Sequence, residues 1–300
     1  MGERFPPPHA AGALLVCAAA IAWGRALSTT GALPVHGRDA LAALAAVAFF
    51  LMLRVFDEHK DYAADCVAHP ERVLQRGVIT LRHLKLVGAA AIAVQFAVSL
   101  LYDRGIGVVT SAWLVALVWS LLMAREFFIG AWLRPRLALY ALSHMIAMPL
   151  AVHWMLRMGA DGAALPAWGW ALPAVSYLTG SAFEIGRKLK APEDERPDVD
   201  SYTRVFGTAR APMVLAAVLT LAAAGFAAMI RVVAGGPATL AAGALLSGSV
   251  ALAWSASLRF GRAPSAGSAR ACETAAALVV AAGHLLLVLA IAIARGVTLG

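Results

Sequence analysis

Charged side chains are scarce in this chain. They make up 14% of its 300 residues, while hydrophobic residues make up 61%. Soluble domains carry about a quarter charged residues. With a mean hydropathy of +0.76, the shortfall excludes an ordinary soluble core and fits a chain whose solvent is mostly lipid. Cysteine is also rare. Cys17, Cys66 and Cys272 stand far apart with no CxxC spacing, which excludes a zinc ribbon or a disulfide framework. The pI near 9.9 does not reflect a basic domain. Lys and Arg are scattered through the segments between apolar stretches, the pattern of a membrane protein and not of a nucleic-acid binder. No cleavable leader or myristoylation signal is expected: the apolar stretch after the Pro6-Pro7-Pro8 run is too long for a signal core, and Pro6 stands where the lipidation signal needs Ser or Thr.

Long apolar runs are what the chain has in quantity. A membrane helix needs about 20 of them in succession. Nine stretches qualify, near 11–30, 38–56, 84–102, 107–124, 137–156, 165–183, 211–234, 237–258 and 273–294, separated by Gly and Pro breakers. This predicts one all-α membrane domain over residues 1–300. Nineteen of the 25 Lys and Arg residues, from Arg4 to Arg270, fall at the N-terminus or in the segments after spans 2, 4, 6 and 8. The positive-inside rule then places the N-terminus in the cytoplasm. The eight tryptophans are expected mostly at span ends, as interface aromatics.

Two of the inside loops, about 57–83 and 184–210, are long and rich in carboxylates. In the first, Asp57, Asp61 and Asp65 are spaced i, i+4, i+8, so a continued helix would align them. Such a stripe repels itself, and a hard cation such as Mg²⁺ would relieve it. That ion takes oxygen ligands and is commonly shared between carboxylates and a substrate phosphate. Arg72 and Arg76 follow, with donors suited to phosphate oxygens. The residues admit two readings, a metal–diphosphate site or a solvated loop whose acids and bases pair. The second loop repeats the ingredients: Glu184, then Arg187, Lys188 and Lys190, then an acidic run from Glu193 through Asp194 to Asp198 and Asp200. Gly77 and Gly207 close the two loops at similar distances from the next span, which suggests a weak internal repeat.

The first loop resembles the signature of the UbiA superfamily of intramembrane prenyltransferases. Asp57, Asp61, Asp65, Pro70, Arg72 and Gly77 fill the family's pattern over 21 residues. Nine spans with aspartate-rich cytoplasmic loops after spans 2 and 6 also resemble the family's architecture. The resemblance implies a Mg²⁺-dependent transferase in the membrane (the inner membrane if the cell is bacterial). It would move an isoprenyl group from its diphosphate to an aromatic or other hydrophobic acceptor. It implies metal ligands at Asp57, Asp61, Asp65, Glu184 and Asp194. Diphosphate contacts are implied at Arg72, Arg125, Arg187, Lys188 and Lys190, with Asp61, Asp65 and Lys188 at the chemistry. Tyr62 and Tyr202 are candidates for substrate contact.

The chain departs from the family pattern at two points. Asp57 stands where Asn is usual. In the second motif Arg187 or Lys188 falls near where the family places an Asp, and Asp194 matches a later acid only with a small insertion. A lysine there could grip diphosphate directly. Two alternatives stay open: a terpene cyclase using the same site, and a lipid-binding or transport protein on the same scaffold. Spans nearly free of charge disfavour transport. His144 and His153, in span 5, are expected to be buried and hydrogen-bonded.

Overall fold

In the computed structural model, residues 7–196 and 200–299 are described; Arg4 and Asp198 lie outside them. The described residues are mostly helical: α1 (Pro7–Ser28), α2 (Arg38–Lys60), α3 (Tyr62–Ala68), α4 (Leu81–Asp103), α5 (Val108–Ala124), α6 (Gly130–Leu133), α7 (Leu137–Met145), α8 (Ala147–Ala160), α9 (Ala171–Arg187), α10 (Tyr202–Phe206), α11 (Arg210–Val233), α12 (Gly236–Arg262) and α13 (Ala266–Arg295). Seven of the described helical segments are long and apolar enough to cross a membrane, with α7 and α8 together making one of them. The nine expected spans therefore differ from this set at two places. Helix α5 is apolar but 17 residues long. Helix α9, also 17 residues, carries Ser176, Thr179, Ser181 and Glu184. It packs on α8, α11 and α13, and burial against protein frees it from the need for an apolar surface all round.

Helix packing rests on small residues. A Cβ on Gly24 of α1 would collide with the Leu156 carbonyl of α8, and one on Gly159 of α8 would collide with the Ile21 backbone. The two helices touch backbone to backbone, as small residues permit in membranes. The fold adds one feature to the all-α expectation. β1 (Leu33–Val35) pairs in parallel with β2 (Val297–Leu299), and Arg295 donates to the Thr29 and Ala26 carbonyls at 3.2 Å. These bonds tie the end of α1 to the end of α13.

Three of the eight tryptophans depart from the interface pattern. Trp23, Trp113 and Trp154 are buried in the core. Trp113 donates to Gln95 Oε1 at 3.1 Å and Trp154 to Ser99 Oγ at 3.0 Å. Both bonds join α4 to a neighbouring helix, and each satisfies a polar group that lipid could not.

Candidate active site

The loops after α2 and α9 lie at the same end of the bundle. Helix α2 ends at Lys60, Asp61 caps it with φ −92° and ψ 0°, and α3 begins at Tyr62. The expected continuous helix is therefore broken at Asp61, yet its hydrogen-bond ladder persists. Asp61 N–H donates to the Asp57 carbonyl at 2.8 Å, Asp65 N–H to Asp61 at 2.9 Å, and His69 N–H to Asp65 at 2.8 Å. The i, i+4 spacing thus survives the break.

The three carboxylates have different surroundings. Asp57 lies 3.4 Å from Lys60 and 3.9 Å from Arg54. Asp65 pairs with Arg72 at 3.0 Å, joining the two halves of the motif. Asp61 has no ion pair among the described residues. Burial pushes its pKa above the usual carboxylate range; Lys60 opposes the rise, and the neighbouring Asp57 and Asp65 charges add to it. Tyr62 packs with Ile79 and Leu81 on a small cluster of Val55, Leu74 and Leu84, on the α4 side of the loop.

The second loop is neutralised from within. Glu184 is bridged by Arg187 and by Lys188, each at 2.7 Å. Asp57 of the first loop and Glu273 of α13 are among the charges that act on Arg187. Tyr202 is buried, and its N–H donates to the Lys188 carbonyl at 3.2 Å. Burial, with the Glu184 charge, pushes its phenol above the usual range. Ser201 and Thr203 donate to Glu195 Oε1 at 2.5 and 2.8 Å, which folds the acidic run back on itself. A cavity of about 810 Å³ opens here. It is lined by His69 from the first loop, by Arg187, Lys188, Lys190 and Asp194 from the second, and by Arg270 and Glu273 of α13.

One expected contact is not brought in. Arg125 is exposed at the end of α5, and its side chain has no hydrogen bond or ion pair among the described residues. The adjacent Glu126 is buried and takes two hydrogen bonds from Arg134, at 2.8 and 2.9 Å. Asp61 and Tyr140 are among the charges that act on Arg134. Lys60 donates to Tyr140 Oη at 3.0 Å. Sequence reading missed Lys60, Arg134, Tyr140, Arg270 and Glu273. Lys60 and Arg134 were legible only as inside charges, and nothing in the spacing of Tyr140, Arg270 or Glu273 singles them out.

Among the described residues, no three His, Cys, Asp or Glu side chains converge as a preformed metal site. Mg²⁺ does not require one, since it usually keeps waters and takes one or two carboxylates plus substrate phosphates. The oxygen donors of Asp57, Asp61 and Asp65, with Asp61 outside any ion pair among the described residues, fit that ion. Glu184, held by two cations, fits it less well.

No protein-family model matches the chain, and no curated protein matches it in sequence. Solved structures do. The chain is similar to the apo structure of a UbiA homologue from Aeropyrum pernix K1, at 18% identity and TM-score 0.63, over 89% of this chain and 96% of that one. It is also similar to a UbiA homologue from Archaeoglobus fulgidus bound to DMAPP and Mg²⁺, at 16% identity and TM-score 0.60, over 95% and 98% of the two chains. The class that fold and site define is therefore a multi-pass helical membrane protein. Its fold is that of the UbiA homologues.

Proposed function

We propose that this chain is a member of the UbiA superfamily and a Mg²⁺-dependent prenyltransferase. It would move an isoprenyl group from its diphosphate to an aromatic or other hydrophobic acceptor, with its active site facing the cytoplasm. The observation that carries the reading is the ladder Asp57–Asp61–Asp65, which keeps its i, i+4 step through the end of α2 with Asp61 unpaired at its centre. A structural neighbour that holds DMAPP and Mg²⁺ supports the substrate class.

Asp57, Asp61 and Asp65 would hold the metal, with Glu184 and Asp194 in reserve on the second loop. Bound there, Mg²⁺ would withdraw charge from the departing diphosphate. Arg72 would swing from Asp65 to phosphate oxygens once metal takes the carboxylate. Lys188 and Arg187, which line the same cavity as His69 of the first loop, would hold the same anion from the other side, and Lys190 lines the cavity through which it would leave. The apolar helices around the site would exclude water from the allylic cation.

The test is Asp61→Ala in native membranes, with transfer from a prenyl diphosphate as readout and thermal unfolding as control. Loss of transfer with an unchanged unfolding temperature is expected. Unchanged turnover would sink the metal assignment.

A further inference from the structure

The cavity beside the second loop has a wall that belongs to neither motif. Ala266, Ala269, Arg270 and Glu273 of α13 all line it. Their i, i+3, i+4, i+7 spacing is that of one helix face. Two of the four are alanines, so the charged side chains are what this face offers a ligand. The start of α13 is firmly set. Ser268 N–H donates to Ser265 Oγ at 3.2 Å, and Ser265 N–H donates to Ser268 Oγ at 2.9 Å. The helix then runs for 30 residues. A site group on such an element is held more precisely than one on a loop.

Helices α9 and α13 meet at this wall. A Cβ on Gly186 would lie 3.6 Å from the Cα of Glu273 and 3.7 Å from the Cβ of Ala276. Gly186 precedes Arg187, so the missing side chain brings the Glu273 backbone close to the root of the Arg187 arm. Burial opposes the charge on Arg187, while Glu184, Asp57 and Glu273 favour it. Arg270 and Glu273 stand i, i+3, a spacing at which opposite charges pair. Yet among the described residues no ion pair joins them, and the Arg270 side chain has no hydrogen bond or ion pair at all. The other cations of the cavity are placed differently. Arg187 and Lys188 are held by Glu184 at 2.7 Å, and Lys190 and Arg196 lie outside any helix. Arg270 therefore combines a free guanidinium with a long helix behind it.

We propose that Arg270 of α13 binds the terminal phosphate of the substrate, and that Glu273 is a positioning residue that holds Arg187 toward the same anion. This rests on the prenyl-transfer reading above. The apolar tail of a prenyl diphosphate stays with the bundle, so the phosphate furthest from the tail is the part that enters this cavity. Arg270 meets it from the α13 side with the paired donors of a guanidinium. Arg187 leaves Glu184 to reach the anion, and Glu273 keeps a negative charge beside the arm as it does so. Without Glu273 the arm falls back to Glu184 alone. Arg270 reads the number of phosphates and not the tail, so its contribution disappears for a ligand that lacks the terminal one.

The test measures binding to the full chain in lipid nanodiscs with Mg²⁺, so it needs no acceptor. The ligands are DMAPP, inorganic diphosphate and dimethylallyl monophosphate, and the unfolding temperature is the control. Loss of a charge-assisted hydrogen bond weakens binding by roughly tenfold or more. Arg270→Ala is expected to lose that factor for DMAPP and for inorganic diphosphate, and to bind the monophosphate as the wild type does. Arg270→Lys is expected to recover part of the loss. Glu273→Gln is expected to weaken DMAPP by a smaller factor, and to add nothing when Arg187 is already alanine, as two residues acting through one contact should. Unchanged binding of DMAPP in Arg270→Ala overturns the Arg270 role, and so does an equal loss for monophosphate and diphosphate. Tighter binding in Glu273→Gln, or losses that add in the Arg187→Ala background, overturn the positioning role. A wild type that binds neither DMAPP nor inorganic diphosphate overturns the prenyl-transfer reading itself.

Discussion

The two polar loops are made of the same residue types and differ at their central carboxylates. In the first, Asp61 sits between two other carboxylates with no cation within ion-pair distance among the described residues, and its pKa is raised. In the second, Glu184 is held by two cations at 2.7 Å, and Glu195 is tied to two hydroxyls. One loop keeps a carboxylate outside any ion pair, where a divalent cation would find a free oxygen donor. The other has discharged its repulsion internally and lines an 810 Å³ cavity with cations and carboxylates in equal number, Arg187, Lys188, Lys190 and Arg196 against Glu193, Asp194, Glu195 and Asp200. The difference predicts a division of labour, with metal on the first loop and direct grip of phosphate on the second.

The largest effects should come from the first loop. Asp61→Ala is expected to lower transfer by about 10²–10³-fold, the scale of losing a principal electrostatic group at a reacting centre. Glu184→Ala is expected to cost far less, because its partners can still reach the anion. Equal losses in the two variants would erase the distinction. Removing Mg²⁺ with a chelator should abolish transfer, and adding the ion back should restore it. Transfer that persists in excess chelator would show that the Asp ladder serves another purpose. Lys188→Met probes the second loop. A charge-assisted hydrogen bond is worth about 1.5–3 kcal/mol, so KM for the diphosphate should rise by roughly tenfold or more, with a smaller change in kcat. A fall in kcat alone would move Lys188 from grip to chemistry.

Much of this was legible in the sequence, and the reasons differ by residue. The ladder was legible because a period of four survives even a helix that breaks, as Asp61 shows. Gly77 and Gly207 were legible as matching loop ends. Both take positive φ, 74° and 85°, a conformation that favours glycine. Gly77→Ala should therefore destabilise the protein by about 1–2 kcal/mol, seen as a lower unfolding temperature, and Gly207→Ala should match it. A clear mismatch between the two would undo the structural equivalence of the loops. Tyr140 was illegible as a neighbour of the first loop because tertiary packing alone carries it to Lys60. Trp113 and Trp154 were illegible as core residues because their buried hydrogen bonds to Gln95 and Ser99 join residues far apart in sequence. The polar α9 passed for a span because burial against α8, α11 and α13 is a property of the assembled bundle.

The smallest expected effect belongs to Asp194, and it cuts closest to the comparison. Asp194 sits in the turn after α9, exposed, and lines the same cavity as Lys188. It is the second-loop acid that a two-motif metal site would recruit. If the second loop grips phosphate with its cations, Asp194 faces the wrong charge, and Asp194→Asn removes only a solvated negative group. Surface charges of that kind contribute about 0–1 kcal/mol, so transfer should change by less than about fivefold, and binding of the diphosphate should tighten if it changes at all. A weaker Mg²⁺ dependence in Asp194→Asn, with the half-saturating metal concentration moving up as it should for Asp61, would instead put metal on both loops. The self-neutralised second loop would then be a resting arrangement that substrate rearranges.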